Sequence, residues 1–170
     1  MRKIFLIVTA LSCALLSIGQ KGRTDAPLTI QTRIVDKANL LTPQQKEQIF
    51  SLIKSLEKNV GSQIAIMTIP TLNGQNLTKY ATDMANQMGL GRKVFKDGIL
   101  ILFAFKDGQF RTEVGLGLNQ IITEQIATLI NETVMAPQFR SGSYAQGFYN
   151  GVKALKERIE ADRTLIGKRP

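Results

Sequence analysis

The chain has no histidine and no tryptophan, and its one cysteine, Cys13, lies close to the start. Without histidine there is no Ser-His-Asp triad, no imidazole general base and no His-ligated zinc. A lone cysteine closes no disulfide within the chain, so packing must hold the fold. Any metal would have to be bound by oxygens. Acidic residues are in short supply, 13 against 22 Lys and Arg, which gives a net charge of +9. That excess does not by itself indicate nucleic acid, because no basic stripe interleaved with exposed aromatics is visible, and none is expected as a partner. Hydrophobic content of 44% and charged content of 21% exclude general disorder, and 170 residues suit one domain with short extras. No internal repeat or low-complexity block is present.

The start of the chain reads as a secretory signal over residues 1–19. Arg2 and Lys3 lead an apolar stretch through Ile18, with small residues at its exit. That stretch falls short of the ~20 residues that span a bilayer comfortably, although an uncleaved anchor stays open as the alternative. Apolar residues continue past Cys13, which argues against a lipidated cysteine. Export to a periplasmic or extracellular space is the expectation, with no membrane span in the mature chain. Residues 20–28 read as an unstructured lead-in, 29–161 as the domain, and 162–170 as a loose polar tail.

The domain is organised around residues 96–123. Lys96, Asp97 and Gly98 form a turn into the apolar run 99–105, too short and too rich in Ile and Phe for a helix and expected to be buried on both faces. Asp107-Gly108 then signals a hairpin. Alternation in the next strand puts Phe110, Thr112 and Val114 on one face and Arg111 and Glu113 on the other. We read this hairpin as the middle of a sheet.

Earlier in the chain, residues 29–35 suggest a short extended segment. Thr42, Pro43 and Gln45 form a helix start with a capping box, and Gly61 ends that helix. Residues 63–69 form a strand closed by Pro70, and 77–88 a second helix. A glycine-containing basic loop, 89–95, follows. Residues 121–134 carry a helical pattern with Ile122, Ile126, Leu129, Ile130 and Val134 inward, broken at Pro137; a last helix covers about 143–161. The order implies an α/β fold: an αβα sandwich with a small mixed sheet of about four strands and helices on both faces.

Three motifs carry possible chemistry. Gly115-Leu116-Gly117 lacks the third glycine of a dinucleotide turn and reads as a turn requiring glycine dihedrals. Arg92, Lys93 and Lys96 form a basic cluster that could hold an anion or could simply be solvated. Asp36, Asp97 and Glu113 each lie near a strand end, where neighbouring strands can converge on one crevice. With Asn119 they could ligate a hard cation such as calcium; equally, the two aspartates could serve turn hydrogen bonds and Glu113 an ion pair.

The sequence blocks 35–42, 61–65, 89–93, 97–102, 111–118, 137–142 and 144–155, in this order, resemble the TPM-domain family, sometimes labelled TPM phosphatases. The resemblance covers about residues 33–159. It implies an αβα sandwich with a divalent-cation site, commonly calcium with magnesium as the alternative, in an acidic crevice. On the family pattern Asp36, Asp97 and Glu113 are the carried-over ligands, Asn119 stands where Glu is frequent, and Glu124 stands near a common Asp. Arg92 and Arg111 match basic positions, suited to phosphate or another anion. The expected function, taking the signal pattern and the resemblance together, is an exported cation-binding accessory module for envelope or membrane protein complexes, expected to be a monomer. The alternative is a weak metal-dependent acid phosphatase, whose nucleophile would be an aspartate or a metal-bound water.

Overall fold

The computed structural model describes residues 29–168; the signal and lead-in expected over residues 1–28 lie outside the described residues. Four strands, β1 (Ile34–Asp36), β2 (Gln63–Ile69), β3 (Gly98–Ala104) and β4 (Gln109–Val114), form one sheet in the order β1-β2-β3-β4. β1, β2 and β3 are parallel, and β4 returns antiparallel to β3. The fold is the expected α/β sandwich. The hairpin is not wholly central, however: β3 is an inner strand and β4 an edge. Every residue of β2 and β3 is buried, as continuous apolar runs require when both sheet faces are covered.

The two faces are covered unequally. Ile64, Ile66, Ile99, Ile101 and Phe103 face the larger core with helices α2 (Pro43–Val60) and α6 (Tyr144–Ala161). Ala65, Met67, Ile69, Leu100, Leu102 and Ala104 face the smaller core under α3 (Leu77–Met88). α2 starts as its sequence predicts: Thr42 Oγ1 accepts from the Gln45 N–H at 3.3 Å, and Gln45 Oε1 accepts from the Thr42 N–H at 2.9 Å. Gly61, with φ 84°, ends it.

Three expectations are corrected. Residues 29–35 are not extended throughout, because a short helix α1 (Ile30–Arg33) precedes β1. Pro137 does not break the helix before it. α4 (Glu124–Ile130) runs through a π-turn (Asn131–Met135) into α5 (Ala136–Arg140), so the proline sits directly after the π-turn within a continuous helical path. Leu129, expected inward, is 59% exposed. The tail also folds back: Leu165 and Ile166 pack on the larger core, and the Gly167 N–H donates to the Gly117 carbonyl at 2.8 Å.

Candidate functional site

Asp36 sits at the carboxyl end of β1, opposite Thr68 of β2. Its carboxylate, 1% exposed, accepts from Thr68 Oγ1 at 2.6 Å, from the N–H groups of Leu40 (3.0 Å) and Leu41 (3.1 Å), and from Lys46 Nζ at 3.0 Å. Asn39, at φ 55°, turns the chain back so that these amides reach it. Burial pushes the pKa of Asp36 up. The Thr68 hydroxyl, the Leu40 amide, Lys46 and the Leu41 amide outweigh that push and hold it below the usual value.

Asp97 precedes β3 at the other end of the sheet and is fully buried. Oδ1 accepts from the Arg92 N–H at 2.8 Å; Oδ2 accepts from Arg92 Nε at 2.9 Å and Ser62 Oγ at 3.1 Å. The Arg92 guanidinium lies directly over Gly61, where a Cβ would come within 2.5 Å of it. A second set of bonds fixes the same loop. Arg33 donates twice to Glu57, Gln63 Nε2 donates to Glu57 Oε1 at 3.0 Å, and Gln63 Oε1 accepts from the Gly91 N–H at 2.8 Å. The backbone of 89–97 is thus held from beneath by buried polar groups.

Glu113 lies on the same end as Asp97, because antiparallel β4 brings its own carboxyl end to the amino ends of β2 and β3. It accepts from Thr82 Oγ1 of α3 at 2.9 Å and from Arg111 Nε at 2.9 Å; Arg111 Nη1 also reaches Glu124 Oε1 at 3.3 Å. Burial pulls the Arg111 pKa down, but Glu113 and then Glu124 outweigh it and leave it raised. Asn119 is exposed at the end of a 3-10 turn (Leu116–Leu118).

The six residues named from sequence therefore separate. Arg92 and Asp97 meet at one end of the sheet, and Glu113, opposite Leu100, lines the same cleft as Arg92. Arg111 pairs with Leu102 farther along β4, and only its side chain reaches back to Glu113. Asp36 lies at the other end, five residues away along β2, which is roughly 17 Å at ~3.3 Å per residue. A calcium ion takes six to eight oxygens. The expected ligands do not fit one as arranged, since each carboxylate already holds a cation of the chain itself: Lys46 on Asp36, Arg92 on Asp97 and Arg111 on Glu113. Among the described residues, no three Asp or Glu side chains converge.

Above Asp97, the end of α3, the loop and the end of β4 enclose an open cleft of about 670 Å³, lined by Thr82, Met88, Arg92, Lys93, Lys96 and Glu113 among others. The two glycines of Gly115-Leu116-Gly117 serve close approach here, not a special dihedral. A Cβ on Gly115 would lie 2.3 Å from the Lys96 carbonyl oxygen, and one on Gly117 only 1.7 Å from that of Phe95. Sequence reasoning missed Ser62, Thr68, Thr82 and Gln63, whose ordinary polar side chains become partners only through tertiary pairing. It also passed over Val94 and Phe95, which were visible as apolar residues between Lys93 and Lys96.

A family model for the TPM domain matches residues 34–158. The chain belongs to that family. Among solved structures, this TPM domain is similar to the N-terminal domain of a protein from P. gingivalis, with 26% identity, a TM-score of 0.72, and coverage of 82% of this chain and 92% of that one. The BA42 protein from the psychrophilic bacterium Bizionia argentinensis is 20% identical with a TM-score of 0.63, covering 71% of this chain and 82% of that one. The N-terminal domain of the cg2496 protein from Corynebacterium glutamicum is 11% identical with a TM-score of 0.62, covering 78% and 83%. The last two likenesses speak for the fold alone. No curated protein matches the chain.

Proposed function

We propose that this TPM domain is a non-catalytic binding module, exported to the cell envelope, whose working surface is the cleft above Asp97. The observation that carries this reading is the division of charge there. The acidic groups are consumed internally, Asp97 by Arg92 and Ser62 and Glu113 by Arg111 and Thr82, while Lys93 and Lys96 stand exposed at the rim. A phosphatase acting through Asp36 or Asp97 would need a carboxylate free to attack or to accept a proton. Both are buried and fully hydrogen-bonded. The cleft is better suited to receive an anionic group than to turn one over, and its size falls in the range of ligand sites. The export part of the reading rests on the sequence pattern of residues 1–19.

The test has two arms. In a chemical-shift titration with polyglutamate, amide shifts should concentrate at residues 88–98 and 113–116. Turnover of p-nitrophenyl phosphate with calcium or magnesium, lost in a still-folded Asp97→Asn variant, would overturn the reading in favour of the enzyme.

One observation favours a narrower form of the cation reading. Arg111 bridges Glu113 and Glu124, so a positive charge already sits between two carboxylates. Calcium binding is proposed at this pair, in competition with Arg111. Wild-type protein should then respond to calcium weakly, and an Arg111→Gln variant more strongly.

A further inference from the structure

We propose that the loop tip 93–96, together with Leu116, docks this domain onto an anionic lipid surface. The inference rests on the binding-module reading and names its partner class.

Five large hydrophobic residues are exposed among the described residues, and three of them meet at this one place: Val94 at 88%, Leu116 at 65% and Phe95 at 40%. Their exposure is not that of a loosely held loop. The Arg92 N–H and guanidinium are bound to buried Asp97, the Lys96 N–H donates to the Arg92 carbonyl at 2.6 Å, and the Gly117 N–H donates to the Lys96 carbonyl at 3.0 Å. Gly115 and Gly117 let the backbone of 115–117 lie flat against the loop, which brings Leu116 beside it. Arg92 stacks over the Phe95 ring at 4.0 Å, and Gly167 packs against the same ring. The apolar tip is therefore held out in one conformation.

Lys93 and Lys96 flank that tip, and Lys168 follows Gly167; all three are exposed. An apolar tip between long cationic side chains matches a membrane interface. The hydrocarbon parts enter the headgroup boundary while the ammonium groups remain at the phosphates. An acidic protein surface would satisfy the lysines but leave Val94 and Leu116 facing charge.

The absence of tryptophan supplies the probe. Full-length Val94→Trp and Leu116→Trp variants each carry a single indole. Its emission should shift to the blue and be quenched by brominated lipid on vesicles of mixed phosphatidylcholine and phosphatidylglycerol. The same indole placed by Leu129→Trp on α4 should not respond. In the Val94→Trp background, Lys93→Gln and Lys96→Asn should each weaken partitioning about fivefold, the value of one basic residue at an anionic surface. Vesicle-bound protein with an unshifted indole at position 94 would overturn the proposal, because attachment would then run through another segment. A shift with polyglutamate but not with vesicles would overturn the lipid assignment and leave the binding-module reading standing. Silence toward both would remove both.

Discussion

The two ends of the sheet use the same device for different purposes. At each, a buried aspartate is neutralised by a basic side chain and hydrogen-bonded by a hydroxyl and by backbone N–H: Asp36 with Lys46, Thr68 and two amides, Asp97 with Arg92, Ser62 and one. Each end also lies near an open cleft of similar size. The one beside Leu40 and Gln45, between α2 and the start of α6, is about 550 Å³ and has no charged residue in its lining. The other is about 670 Å³ and carries Arg92, Lys93, Lys96 and Glu113. At the Asp36 end the amides held are those of Leu40 and Leu41, which lead into α2, so the aspartate tethers a connection. At the Asp97 end the cation held is part of the loop that projects outward. An acidic residue near a strand end thus says little about function until the group it holds is known.

The largest effect should come from cutting the pair that supports the projecting loop. Asp97→Ala leaves the Arg92 guanidinium without its partner beneath the cleft and is expected to cost about 3–4 kcal/mol, the lower part of the range for breaking a buried pair, since Arg92 is 32% exposed and can turn to solvent. Denaturant unfolding measures it; a loss under about 1 kcal/mol would mean the pair does not organise the loop. Next is Gly117→Ala. Its Cβ would sit 1.7 Å from the Phe95 carbonyl oxygen, so the loop must move, at about 2–3 kcal/mol by analogy with overpacked cores. Cleft amides should shift in this variant while those around Asp36 stay put.

At the opposite end Asp36→Asn should cost about 1–2 kcal/mol, because an amide can keep some of the hydrogen bonds but not the attraction of Lys46. This variant also has a pH signature. The folded pKa of Asp36 lies below its unfolded value near 3.8, so its contribution is present above that value and is lost as pH falls through the folded pKa. The wild-type protein should therefore lose stability on acidification below about pH 4 more steeply than Asp36→Asn. Parallel acid limbs in the two proteins would show that Asp36 gains nothing from its ionised state in the fold.

The layered fold was legible in the sequence because local signals agreed with tertiary ones. The Thr42-Gln45 capping box, the glycine stop at Gly61 and the two apolar runs of β2 and β3 each name an element without reference to another. The site was legible only in part. Asp36, Asp97 and Glu113 were correctly placed at strand ends, but which end depends on strand direction, and antiparallel β4 joins Glu113 to Asp97 and away from Asp36. Their partners were invisible for a related reason. Thr82 meets Glu113 only because α3 crosses the edge strand, and Gln63 meets Gly91 only after β2 and β3 have paired. Leu129 failed because the buried face of α4 runs through Ala127 and Ile130, which leaves Leu129 beside the stripe and not on it. Pro137 failed because the helical path reaches it through the π-turn at Asn131–Met135, which an α-helical reading does not include.

A smaller change sharpens the contrast between acids that are spoken for and acids that can be released. Arg111→Gln removes a partly exposed guanidinium and should cost no more than about 1 kcal/mol. It leaves Glu113 and Glu124 facing each other without the intervening charge. Thermal unfolding of metal-stripped protein should show a larger, saturable calcium stabilisation in this variant than in wild type. Equal responses would remove the Glu113–Glu124 pair as the calcium site.

The smallest effect on stability is also the most discriminating. Val94 is 88% exposed and has almost no buried area to lose, so Val94→Ser should leave the unfolding free energy within about 0.5 kcal/mol of wild type. The supports of the loop, Asp97, Gln63 and the Gly117 amide, all lie on its inner side and are untouched by the change. A core valine would behave otherwise: Val152 on α6, fully buried in the larger core, should cost about 2 kcal/mol or more when cut to alanine. Val94→Ser should therefore separate stability from surface function, keeping the first and weakening the second. Marked destabilisation would mean that the tip packs against the domain, which would collapse the distinction between an end that tethers and an end that presents.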